Sequence, residues 1–382
     1  MVGGKLKVVY LINMAIQDHN LNLTEQEYRD LELPSYSMLA SIDKQGVDVV
    51  GGVKQNFNLK FGSLVDMMCF EPHRVDEVFY QASAVKAPTL NVKKICDLIL
   101  YDIFYNSQDS GSILESGGVL NRKRGKIYKD LKKYTKEIVD ASLSLGVYKS
   151  YNDQKIIDTV IKAGSTYFKD KVVSNDKILI KPEMWQHASH TAATLISHKY
   201  TGKYFAHDVP GIEIIYQYKF VTMINGYECK GMLDVLVVNH NAKLIFPVDL
   251  KTGESPCKDF PILYTAHRYY IQGALYKEGI KSVIAEDEDL KDYEVKPFEF
   301  IYISKLNPNK PSKFTVDDNM HSACLKGFTD RYGYKYKGVY DLFDDYYFSK
   351  NNNNSEYTEE EIMNKGVTNM DLKMITGNEN RI

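Results

Sequence analysis

The sequence predicts an α/β fold: a central mixed β-sheet flanked by helices, with helical additions at both ends. Three observations predict it. Apolar residues recur at helical spacing through much of the chain before Gly202. Beyond Gly202 the period moves toward two, and two alternating runs flank Asn225-Gly226, a strong hairpin signal. Helical spacing returns at Phe260 and yields to a further strand-like run at Tyr293.

Taken in order, the elements are as follows. Val8 to Ile16 is an apolar stretch within a leader assigned to residues 1–33, and the cap-like Thr24-Glu25-Gln26-Glu27 opens a short helix there. Pro34-Ser35-Tyr36-Ser37 begins the main domain, assigned to 34–348 with its core motifs at 212–278. Phe61 to Tyr80 reads as helical through Leu64, Val65 and Met68 and, after Pro72, Val75 and Val78. Residues 88 to 170 are helical in character, from Ile95, Leu98 and Ile99 to Ile156, Ile157, Val160 and Ile161. Pro182 precedes a helix over Glu183 to Tyr200. Ile212–Ile224, Tyr227–Val238 and Lys243–Lys251 form a three-stranded antiparallel meander. A helix over Phe260–Glu278, a strand over Tyr293–Ser304 and a largely helical Leu325–Tyr347 follow. Asn351 to Asn354 is low complexity, within a polar, weakly structured tail assigned to 349–382.

Composition narrows the function. The chain has 382 residues, 44% apolar and 26% charged, with a formal net charge of −2. A nucleic-acid partner would therefore be held by local patches or a metal, since no global basic field exists. The apolar runs are too short to span a bilayer, and no signal-peptide pattern is seen, so a cytoplasmic protein with no membrane partner is expected. The five cysteines are scattered without a CxxC pair, which argues against a zinc ribbon or an iron–sulfur cluster. His187, His190 and His198 share a predicted helix but lack an H-E-x-x-H pattern. No Walker A loop, GxGxxG or GxSxG elbow occurs.

The chemistry gathers in the meander. Asp249 and Lys251 are two apart on one strand, so they project from the same face. The adjacent strand brings Asp234 close to them. Two converging carboxylates make a hard oxygen site suited to Mg²⁺ or Mn²⁺. Such an ion would activate a water and steady the charge on a phosphate, with Lys251 positioning that water or countering the developing charge.

These residues resemble the PD-(D/E)XK nucleases, in particular the RecB-like branch. That branch carries Gly-x-x-Asp, then acidic-x-Lys-Thr-Gly, then Gln-x-x-x-Tyr on the following helix. This chain has Gly231 to Asp234, Asp249-Leu250-Lys251-Thr252-Gly253, and Gln272 with Tyr276 four residues later, on one helix face. Leu33 to Ser37, Phe61 to Asp66, Cys69 to Pro72 and Pro297 to Phe300 are also similar to RecE-type phage recombination exonucleases. The likeness runs over roughly residues 33 to 345.

The resemblance implies a restriction-endonuclease-like core and a Mg²⁺-dependent DNA exonuclease. It would act 5′-to-3′ on double-stranded DNA ends and feed single strands to an annealing protein. It further implies a homo-oligomer. Asp234, Asp249 and the Leu250 carbonyl would bind metal, Lys251 would assist the attacking water, and Gln272 and Tyr276 would position substrate. Rivals are a restriction- or repair-type endonuclease on the same core and a catalytically silent DNA-binding protein.

Two positions depart from the family pattern. Asp66 stands where the family has a histidine, and a carboxylate there is a candidate further ligand. The family's first-strand glutamate has two candidates. The two-residue turn sets Gln217 opposite Asp234, whereas Glu213 lies four residues away, about 13 Å along the strand. Chemistry favours Glu213, with a bulge to bring it in; register favours Gln217.

Two further groups are candidates for DNA contact. Arg122, Lys123 and Arg124 lead a basic stretch, Asn121 to Lys136, interleaved with Tyr128 and Tyr134. Arg268, with His267, lies on the helix that carries Gln272.

Overall fold

The computed structural model describes residues 20–45, 57–83, 88–103, 128–174 and 177–351. They form two compact units, one from residues before Glu71 and after His190, the other from Glu71 to His190.

The first described element is α1 (Glu25–Asp30), where the Thr24 side chain accepts from the Glu27 amide and Glu27 reciprocates as a capping box. Next come α2 (Tyr36–Gln45) and α3 (Phe57–Phe70). The second unit supplies α4 (Val75–Val78), β1 (Phe79–Gln81), α5 (Leu90–Tyr101), α6 (Thr135–Ser144), α7 (Asp153–Ser174) and β2 (Ile178–Ile180). Phe79 and Tyr80, expected to extend a helix, instead pair in parallel with Ile178 and Leu179. Val92, Ile95, Ile99, Leu131, Ile138, Val160 and Phe168 form this unit's own core. The basic residues 121–127 lie outside the described residues, as do the apolar Val8–Ile16 and the tail beyond 351.

α8 (Pro182–Ser197) leads to the main sheet. Its strands are β3 (Ile212–Ile224), β4 (Tyr227–Asn239), β5 (Leu244–Gly253), β6 (Glu294–Val295), β7 (Phe298–Ser304) and β8 (Asn307–Val316). The order is β3-β4-β5-β7-β8, with β6 also paired to β5. β5 and β7 run parallel and the other neighbours in that order antiparallel, so the sheet is mixed. The Asn225-Gly226 turn, with both residues at positive φ, pairs Ile224 with Tyr227 and carries an unshifted register to Ile212 and Asn239. The meander is as the sequence predicts.

Three expectations need correcting. The helix expected over Phe260–Glu278 is two helices, α9 (Phe260–Ala266) and α10 (Tyr269–Ala285), broken where Arg268 turns left-handed at φ 62°. The strand expected over Tyr293–Ser304 is interrupted at Lys296-Pro297, because proline has no N–H for the ladder. Leu325–Tyr347 is not continuously helical. After α11 (Asp318–Lys326), β9 (Phe328–Thr329) and β10 (Lys335–Tyr336) make a small hairpin before α12 (Val339–Asn351).

One core joins α2, α10, α11 and α12 to the sheet, through Leu39, Tyr218, Phe220, Leu236, Ile271, Leu275, Phe300 and Phe343. Gly231 and Gly279 are set by close approach. A Cβ at either would meet the Phe220 ring at 2.2 Å, so α10 and β4 close on that ring only because both lack a side chain. Among the described residues no helix is long and apolar enough to cross a membrane.

Candidate active site

The register builds the site. β4 and β5 pair from Asn239–Leu244 to Val235–Val248, and the next step along both strands sets Asp234 beside Asp249. The Leu250 amide donates to Asp234 Oδ2 at 2.8 Å, closing the strand onto that carboxylate. On the same face of β5 as Asp249, Lys251 Nζ lies 2.5 Å from Asp249 Oδ2. From α10, Gln272 Nε2 donates to Asp249 Oδ1 at 2.6 Å. Asp249 and Gln272 are both buried, so this amide fixes one carboxylate oxygen while the lysine faces the other.

The two aspartates oppose each other electrostatically. Burial, then the charge of Asp249, pushes the Asp234 carboxyl up to about 7, against the opposing pull of Lys251 and the Leu250 amide. Burial also works against the charge of Lys251. Asp249 first, then Tyr269 and Asp234, outweigh it and hold the ammonium above its ordinary range. Lys251 is therefore a fixed cation at neutral pH.

Asp66 reaches the same place from α3. Burial and then Asp234 raise its carboxyl well above the ordinary value, with Asp249 adding to this and Lys251 opposing it. One turn earlier, Gly62 lets the helix approach β5: a Cβ there would sit 3.2 Å from Thr252 Oγ1. The spacing Gly62 to Asp66 thus seats the helix and delivers the acid on one face.

The first-strand position belongs to Gln217. Its Nε2 lies 3.4 Å from Asp234 Oδ1, with Gln217 at φ 50°. Glu213, the expected ligand, is not brought in. It pairs across the ladder with Val238, and its carboxylate contacts His240 Nε2 at 3.0 Å. The positive φ at Gln217 inserts no extra residue, since Tyr216–Val235 and Tyr218–Leu233 keep one register; nothing shifts Glu213 toward Asp234.

Tyr276 is buried among Phe220 and Phe298. Burial chiefly raises its hydroxyl pKa, with Asp249 and Asp234 among the contributing charges. Arg268 is committed to Asp43, Nε to Oδ2 at 2.6 Å, rather than presented to solvent. Arg122, Lys123 and Arg124 lie outside the described residues. His187 and His190 belong to the second unit, and His198 Nδ1 receives the Tyr200 amide at 3.4 Å.

Two tyrosines join the site that sequence reasoning missed. Lys251 Nζ lies 4.9 Å from the Tyr269 ring centroid, a cation–π distance. The Tyr36 hydroxyl donates to the His267 carbonyl at 2.9 Å and shares an electrostatic environment with Lys251. Tyr36 lies in the Leu33–Ser37 stretch and Tyr269 three residues before Gln272, so both were visible as motif neighbours. Only the fold shows that they border the lysine.

Among the described residues, no three His, Cys, Asp or Glu side chains form a closed ion cage. The donor set still fits a hard divalent cation. Mg²⁺ characteristically takes one or two carboxylates and keeps waters and phosphate oxygens for the rest. Two neighbouring acids whose charge is left partly uncompensated, so that one is held near neutral pH, are a pair that such an ion would stabilise.

No curated protein matches the chain. A crystal structure of a candidate exonuclease from Eubacterium rectale aligns with 66% of this chain and 82% of its own, at 16% identity and a TM-score of 0.33. The family model described as a PDDEXK-like domain of unknown function (DUF3799) matches residues 28–333. That match spans well over half of the chain, so the chain belongs to this PDDEXK-like family, within the PD-(D/E)XK superfamily.

Proposed function

We propose that the protein is a Mg²⁺-dependent deoxyribonuclease that hydrolyses phosphodiester bonds from the ends of duplex DNA. One observation carries the reading. Asp234 and Asp249 stand side by side on adjacent strands, with Lys251 against one oxygen of Asp249 and Gln272 against the other. A structural ion pair would need one acid for one base. Here a buried amide also orients the second oxygen of Asp249, and a second acid is left with a raised pKa, a pattern associated with working sites.

Asp234, Asp249 and the Leu250 carbonyl would hold the metal, with Asp66, whose carboxyl feels the charge of both aspartates, as a candidate further ligand. Bound there, the ion would supply an activated water and neutralise charge on the phosphate. Lys251, kept cationic by Asp249, is not a proton acceptor. It donates toward the charge that develops as water adds to phosphorus and the P–O bond to the leaving strand breaks. Gln272 holds Asp249 in the productive rotamer, and Tyr276 packs the wall behind it.

The likeness to RecE-type enzymes supports the finer reading. It suggests 5′-to-3′ polarity, a place in phage-type recombination with a single-strand annealing partner, and a homo-oligomeric form in the cytoplasm. Digestion of linear duplex labelled at one end, beside closed circular plasmid, tests it. Mg²⁺-dependent release of label from the 5′ end, with the plasmid left intact, is the expected outcome. Plasmid linearisation would replace it with an endonuclease on the same core, and Mg²⁺-dependent DNA binding without cleavage would replace it with a silent binding protein.

A further inference from the structure

The β9–β10 hairpin exposes two aromatic rings beside the helix terminus that borders the site. Tyr332 and Tyr334 are 69% and 55% exposed, so much of each ring faces water. Their turn is rigidly built. Asp330 Oδ1 accepts the amides of Tyr332 at 2.8 Å and Tyr334 at 3.0 Å, and the Asp330 amide donates to the Tyr334 carbonyl at 2.9 Å. Gly333, at φ 85°, supplies the left-handed step and donates to the Asp330 carbonyl at 3.0 Å.

The base of the hairpin is tied to the start of α10. Phe328 stacks on Tyr336 at 4.8 Å, and both set their edges against Tyr270 at 5.3 and 5.7 Å. Tyr334 meets Tyr336 edge-on at 4.7 Å. The residue before Tyr270 is Tyr269, whose ring carries the Lys251 ammonium. Two consecutive tyrosines on α10 therefore face the hairpin on one side and the site lysine on the other. Positive charge accompanies the rings: the Arg331 guanidinium lies 4.7 Å from the Tyr332 centroid, and Lys335, next to Tyr334 in the chain, is exposed.

We propose that the 330–334 turn is a stacking platform for the unpaired or terminal bases of a DNA end, with Arg331 and Lys335 meeting its phosphates. Exposed tyrosine faces combined with cations are the elements of sequence-tolerant single-strand binding. Bases inside a duplex hide their faces in the stack, so a tyrosine platform engages only frayed, overhanging or terminal bases. The platform rests on the nuclease reading for its DNA and extends it to how an end is held: by its frayed or overhanging bases rather than by its paired duplex. Arg268, which precedes Tyr269 and interacts electrostatically with Tyr334, is bonded to Asp43, which makes it a strut, not a phosphate ligand.

The test uses the full-length protein in EDTA, so that no DNA is consumed. It is titrated onto duplexes carrying 2-aminopurine either in a short overhang or in mid-duplex. Saturable quenching of the overhang probe alone is expected. Tyr332→Ala/Tyr334→Ala should abolish most of that quenching and weaken overhang binding by roughly tenfold, whereas Tyr332→Phe/Tyr334→Phe should keep both. Equal quenching of the mid-duplex probe, unchanged affinity and quenching in the double alanine variant, or no DNA binding would each overturn the proposal. Cleavage by the native protein and by Asp249→Asn separates the two readings. Tyrosine-dependent quenching without any cleavage would sustain the platform and sink the nuclease. Asp249-dependent cleavage with a fully native double alanine variant would do the reverse.

Discussion

Gln272 Nε2 donates to Asp249 Oδ1 at 2.6 Å, and both side chains are buried. A helix residue thereby fixes the rotamer of a strand residue that already faces Lys251. Groups that orient a metal ligand usually affect affinity or rate by about 10- to 100-fold. Gln272→Ala should therefore lower kcat and raise the Mg²⁺ concentration for half-maximal activity within that range, while Gln272→Glu should do worse by adding a further acid to Asp234, Asp249 and Asp66. Mg²⁺ titration of nuclease rate checks this; an unchanged Mg²⁺ requirement in Gln272→Ala would remove the amide from the site.

The raised carboxyl of Asp234 predicts a pH dependence. Its ordinary value is 3.8, and burial beside Asp249 carries it to about 7 in the folded protein. A carboxyl raised on folding favours the folded state while protonated, so its contribution is lost as pH climbs from about 4 to 7. Without metal, the native protein should lose melting temperature over that interval relative to Asp234→Asn. Mg²⁺ should restore it, more at pH 8 than at pH 5.5, because the ion needs the deprotonated pair. Thermal melts in EDTA and in Mg²⁺ at the two pH values measure both effects, and a Mg²⁺ increment independent of pH would contradict them.

Lys230 anchors the leader helix to β4, the strand that carries Asp234. Its Nζ donates to the carbonyls of Tyr28, Arg29 and Leu31 at 2.9, 3.0 and 2.7 Å. Burial, then Arg29, lowers its pKa. Lys230→Met keeps the stem and strands these acceptors, which should cost about 2 kcal/mol of stability. Denaturant unfolding measures the loss, and a variant as stable as the native chain would show that water replaces the ammonium.

Gly231 makes a steric prediction. The Cβ of Gly231→Ala would meet Phe220 Cζ at 2.2 Å, an overpacking expected to cost about 1–3 kcal/mol. Combining it with Phe220→Leu should recover part of that loss. If the double variant were simply the sum of the two single losses, the clash would not be the cause.

Much of this was legible in the sequence because local chemistry fixed it. The Asn225-Gly226 turn set the register that faces Gln217 with Asp234, and the four-residue spacing of Gln272 and Tyr276 put both on one helix face. What was illegible depended on distant partners. The break at Arg268 carries no glycine or proline; it is stabilised by Asp43, 225 residues earlier. β8 is polar and holds Pro308 and Pro311, so it lacks the apolar alternation of an inner strand and reads as a loop. Glu213 was favoured for its charge, but an unshifted register left it with His240.

The central claim is that Asp234, Asp249 and Lys251 form one metal-dependent hydrolytic site. Release of acid-soluble nucleotides from linear duplex DNA tests it most directly, comparing the native protein with folded Asp249→Asn and Lys251→Ala in Mg²⁺ and in EDTA. The account predicts Mg²⁺-dependent release by the native chain, none in EDTA, and losses of at least about 100-fold in both variants. Native-level release by either variant, or release that persists in EDTA, would contradict it.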